Sequence, residues 1–135
     1  MISVLAIASA PSGFTRLMIS IHQRLGVALL VLGFFGTVWG IRGVVRRVTD
    51  PGFRTYCILL FVAIVVQAAF GLVLAAGLHQ HPADVLHWLY GGLALISLPL
   101  AYMYAQTKSG RGEAVFMMLG ALAVFLFSVR TLMTG

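Results

Sequence analysis

Four stretches of roughly twenty apolar residues take up most of this 135-residue chain. The only carboxylates, Asp50, Asp84 and Glu113, lie at their ends or between them. A soluble domain carries about 25% charged residues, whereas this chain carries 9% and is 61% hydrophobic. A helix apolar on every side must face lipid or the interior of a large protein, and 135 residues cannot build such an interior around four of them. A water-soluble fold is therefore excluded. The expected class is all-α: an integral membrane up-down four-helix bundle forming one domain over residues 1–135. Its helices are expected at about 17–41, 56–78, 85–104 and 114–132.

The breaks between the stretches have turn chemistry. Thr49-Asp50-Pro51-Gly52 reads as a turn, and His81-Pro82-Ala83-Asp84 supplies a proline and then an N-cap. Lys108-Ser109-Gly110-Arg111-Gly112 separates the last two helices. Residues 1–16 contain an apolar run, Ile2 to Ala10, ending in Ala8-Ser9-Ala10. No Lys or Arg precedes that short run, so the reading is an uncleaved interfacial segment rather than a signal peptide.

Basic residues set the orientation. Arg42, Arg46, Arg47 and Arg54 flank the first break, and Lys108 and Arg111 lie in the third; Arg16, Arg24 and Arg130 fall on the other side. This asymmetry predicts both termini outside a cell inner membrane, with the 1–2 and 3–4 loops in the cytoplasm. The net charge of +6 belongs to span ends and one loop, a pattern that argues against nucleic acid as a partner. Trp39, Tyr102 and Tyr104 are expected in the inner aromatic belt, with Trp88 and Tyr90 towards the outer one.

His22 and His87 each stand near the outer end of a span, and each has a glycine four residues on, Gly26 and Gly91. Positions i and i+4 share a helix face, so each imidazole stands over a spot without a side chain. Helices 1 and 3 run in the same direction and are diagonal partners in an up-down bundle, which puts the two histidines at similar depth. A flat macrocycle held by two imidazoles against bare backbone suits this pattern. The reading is non-covalent haem b with His22 and His87 as axial iron ligands, while the alternative for either histidine is an interhelical hydrogen bond. Cys57 is the single cysteine, which excludes a CxxCH motif and covalent haem attachment.

Other polar residues read more plainly. Gly33, Gly36 and Gly40 continue the bare stripe of helix 1 and are assigned to helix packing. Gln67 shares a face with Gly71 and is expected to bond a neighbouring helix. His79 and His81 read as solvated loop residues, because two ligands make a weak metal site. Arg130 leans into the membrane near the outer end of helix 4. Outward-pointing haem propionates would pair with it there, as would lipid headgroups. No catalytic residues are assigned: there is no carboxylate pair, nucleophile motif or phosphate loop.

Several of these segments resemble one four-helix half of the haem A synthase family. The likeness covers Ile21-His22-Gln23-Arg24-Leu25-Gly26, Gln67-Ala68-Ala69-Phe70-Gly71, Gly77-Leu78-His79 and Val85-Leu86-His87-Trp88-Leu89. The resemblance implies a bis-histidine haem b between helices 1 and 3. It also has gaps. The family's glutamate three residues before the first histidine and its arginine directly after are here Ile19 and Gln23. The outer-loop cysteine pair of many members is absent.

The leading expectation is a haem b-binding membrane subunit that transfers electrons within a larger respiratory or photosynthetic complex. Its partners would be the lipid bilayer, other membrane subunits and a quinone. Two alternatives stand beside it: a haem-free accessory subunit, and a homodimeric haem A synthase-like enzyme.

Overall fold

The computed structural model describes residues 11–135; the apolar run Ile2 to Ala10 lies outside the described residues. Four long helices follow one another: α1 (Gly13–Arg46), α2 (Pro51–Leu72), α3 (Leu86–Gln106) and α4 (Arg111–Thr134). A π-helical turn, Val73–Gly77, continues α2. All four helices are long and apolar enough to cross a membrane. The fold is an all-α, up-down four-helix bundle of the integral membrane type. In the ring order α1-α2-α3-α4, each helix packs on its two neighbours, and α1 and α3 have no close backbone approach. Much of the exterior is large apolar side chains, among them Phe35, Val45, Leu59 and Met103, as a lipid-covered surface requires.

Local chemistry sets the helix ends. Ser12 caps α1, its hydroxyl accepting from the Thr15 amide, so α1 takes in residues 13–16 as well as the apolar span. At the other end α1 runs on to Arg46 and stops at Arg47, which adopts the left-handed conformation (φ 58°) and donates back to Gly43 and Val44. At 34 residues α1 is about 51 Å long, so both ends emerge from a hydrocarbon core of about 30 Å. The expected start of the second helix at 56 is too late. Asp50 accepts from the Gly52 amide at 2.7 Å, and Pro51 occupies the first helical position. There a missing N–H costs nothing and the fixed φ suits a helix. Asp84, expected as the N-cap of α3, stands one residue before the cap position at Val85, and its carboxylate accepts from the Leu86 amide at 2.9 Å.

Small residues decide which helices come closest. A methyl group added at Gly33 would lie 2.9 Å from the Phe125 Cα and N; one at Gly40 would lie 2.8 Å from the Met118 Cα. Both are contacts with α4, so α1 and α4 meet backbone to backbone along the glycine stripe. Gly36 receives the Tyr56 ring of α2 and Ala121 of α4, and on α4 Gly120 faces Ala101 and Leu98 of α3. The packing role expected of Gly33, Gly36 and Gly40 is thus observed. The core beside them is formed by Leu29, Phe53, Leu60, Ile64, Leu98, Met117 and Val124. Two polar ties join α2 to other helices. The Tyr56 hydroxyl donates to the Leu32 carbonyl, and Arg54 of α2 pairs with Glu113 at the start of α4.

Candidate cofactor site at the paired histidines

His22 lies in the third turn of α1 and His87 is the second residue of α3. Although these helices have no close backbone approach, the two imidazoles meet across the bundle, with ring centres 6.2 Å apart and planes inclined by 51°. A metal–imidazole bond is about 2.0–2.1 Å and a ring centre lies about 1.1 Å behind its ligating nitrogen, so two imidazoles trans across one metal have centres roughly 6.3 Å apart. Ordinary aromatic pairs span 4.5–7 Å, so spacing is only the first requirement.

Orientation is the second. His87 Nδ1 lies 3.1 Å from the Thr131 carbonyl, in the final turn of α4. A carbonyl can only accept, so Nδ1 carries the proton and donates, which leaves the Nε2 lone pair free. Metal-ligating histidines are commonly held this way by their other nitrogen. The same carbonyl also accepts from the Thr134 hydroxyl at 3.4 Å; a backbone carbonyl has two lone pairs, so it serves both donors.

The α1 half is built against α2. Gln67 Nε2 donates to the His22 backbone carbonyl at 3.0 Å. One turn on, Gly71 lies under the His22 ring: an added methyl group there would lie 3.1 Å from Cε1. The pairing of Gln67 with a neighbouring helix is as expected, and its partner is the ligand candidate's own backbone. Two polar atoms in this region, His22 Nδ1 and Gln67 Oε1, are buried without hydrogen-bond partners. Leaving such atoms unpaired is costly, so the region suits a further polar or metal-bearing group.

The remaining site residues fall in different places. Gly91 has open space where a side chain would stand, with no atom within 4 Å of an added methyl group. Gly26 is buried, and a methyl group there would meet Leu132 at 3.3 Å and the Gln67 amide at 3.4 Å. Its bare face is therefore covered by those two side chains, whereas the sequence pattern alone suggests free clearance. Arg130 is exposed on α4, and it is its neighbour Thr131 that reaches the histidine pair. His79 and His81 are exposed in the segment between α2 and α3, as solvated loop residues should be. Among the described residues no group of three or more His, Cys, Asp or Glu is placed to hold a metal ion; a two-imidazole site needs no such group.

Sequence reasoning did not find Thr131, whose contribution is a backbone carbonyl and leaves no trace in residue type. Gly71 was legible through its i+4 relation to Gln67. The π turn begins two residues after Gly71; such turns insert an extra residue and often occur at functional sites. No protein-family model, curated protein or solved structure matches this chain. Fold and site together define a four-helix membrane bundle with a facing histidine pair at one end.

Proposed function

We propose that this protein is a small membrane cytochrome b in which His22 and His87 are the axial ligands of one haem b. The observation that carries the reading is the meeting of two imidazoles 6.2 Å apart on diagonal helices, one of them held with its Nε2 free. Iron with two imidazole ligands has no open coordination position, so the chemistry supplied is one-electron transfer rather than oxygen binding.

Each surrounding residue has a definite part. Thr131 fixes the His87 tautomer, and Gln67 anchors the α1 backbone at His22. Gly71 lets the His22 ring lie against α2, while Gly91 leaves room beside His87. Arg130 is the cation at this end of α4 that would neutralise propionates. The described residues lie almost entirely within four spans and their short connections, so electrons would enter and leave through other membrane subunits or a quinone. The basic residues support an inner-membrane location with both termini outside: six lie at one end of the bundle and three at the other.

The covering of Gly26 by Leu132 and Gln67 favours a second reading, a haem-free accessory subunit whose histidines only tie helices together. Haem quantification after alkaline pyridine extraction separates the two. One haem b per chain in protein purified from haem-replete membranes supports the cytochrome; a folded, helical preparation without haem supports the accessory subunit.

A further inference from the structure

At the end of the bundle opposite the histidines, a cavity of about 200 Å³ opens between the end of α1 and the start of α2. A water occupies about 30 Å³ in the liquid, so the cavity holds a group several times that size. Trp39, Arg42, Arg46, Thr49, Asp50 and Phe53 are among its walls. Arg42 and Arg46 are one helical turn apart and so share a face of α1. Asp50 is the one carboxylate in the wall, and it is already engaged as the cap of α2. The first amides of α2 are also taken, because those of Gly52, Phe53 and Arg54 all bond to Asp50. Thr49 differs: it is only 5% exposed, and its hydroxyl is buried with no hydrogen-bond partner. Two guanidinium groups and one unpaired hydroxyl donor around a cavity are the recognition set for a phosphate.

We propose that this cavity binds the phosphate of an anionic phospholipid. The choice of a lipid over free phosphate follows from the surroundings. Ile41, Val45 and Val48 expose their side chains next to the arginines, giving acyl chains an apolar path beside a cationic head site. Trp39 lies at the same level, where indoles favour the membrane interface. Basic pockets between helices at a membrane surface recognise anionic headgroups in this way. The site is independent of the histidine pair.

Native mass spectrometry of the full chain in detergent, titrated with phosphatidylglycerol or phosphatidylcholine, provides the test. Wild-type protein should retain one phosphatidylglycerol in preference to phosphatidylcholine. Thr49→Val keeps the side-chain shape and removes the hydroxyl, so it should weaken retention about tenfold, the value of a hydrogen bond to a charged group. Arg42→Gln with Arg46→Gln should weaken it by at least as much. Lys108→Gln with Arg111→Gln removes the same charge from the same end of the bundle but away from the cavity, and should leave retention within about twofold. The proposal is overturned if Thr49→Val binds like wild type, if the Lys108 and Arg111 pair loses the lipid equally, or if phosphatidylcholine is held as well. Displacement of the lipid by millimolar inorganic phosphate would also overturn it, assigning the cavity to the free ion. Should the arginine variant fail to fold, Thr49→Val decides.

Discussion

Replacing Gly33 with alanine should separate α1 from α4 and destabilise the bundle, while the same replacement at Gly91 should not. The new methyl group at Gly33 would stand 2.9 Å from both the Cα and the N of Phe125. Those are backbone atoms and cannot rotate away, so the two helices must part by several tenths of an ångström along their closest seam. Overpacking of this kind costs about 1–3 kcal/mol. Glycine to alanine within a helix also gains about 1 kcal/mol of intrinsic propensity, which blurs any single measurement. Gly91 supplies the correction. It too lies inside a helix, yet an added methyl group there meets nothing within 4 Å. The propensity gain is common to both variants, so the difference between them isolates the steric cost, about 1–3 kcal/mol. Reversible unfolding in mixed micelles, followed by far-ultraviolet circular dichroism, measures it. Equal stability of the two variants would refute the claim that the glycine stripe sets the α1–α4 contact.

Three further outcomes are expected. A membrane-impermeant thiol reagent applied from the periplasmic side should label a cysteine placed at Gln80 and miss one placed at Ser109, in a Cys57→Ser background; the reverse pattern would invert the topology. Alanine at Glu113 removes the ion pair with Arg54, whose side chain is 46% exposed, so the loss of stability should stay below about 1 kcal/mol; a larger loss in micelle unfolding would mean the pair registers α2 against α4. Gly91→Leu should lower the haem-to-protein ratio while helix content is kept, because it fills the open space beside His87. Unchanged haem occupancy would show that the space is not part of the site.

The spans were legible because lipid imposes a one-dimensional rule: a long apolar run with capped ends. The same simplicity made the histidine pair visible, since equal helix direction and positions near the outer ends of their spans put His22 and His87 at similar depth. Features that depend on a neighbour were harder to read. Helix 2 starts five residues before its apolar run because Asp50 and Pro51 begin a helix whether or not lipid surrounds it. The i+4 glycine pattern treats Gly26 and Gly91 as equivalents, yet α4 brings Leu132 over one and leaves the other open. That asymmetry lies in how the second and fourth helices are placed, since Gln67 and Leu132 both cover Gly26, and the periodicity of the first and third cannot encode it. Likewise Tyr56 finds the Leu32 carbonyl and His87 the Thr131 carbonyl, and a backbone acceptor has no signature in residue type.

The proposed cytochrome requires one haem iron between His22 and His87. Low-temperature electron paramagnetic resonance of the oxidised, purified protein tests it most directly, with His22→Ala and His87→Ala beside wild type. Wild type should give a low-spin ferric signal that is lost or turned high-spin in each variant, with His79→Ala and His81→Ala unchanged. A low-spin signal that survives His22→Ala or His87→Ala would contradict it.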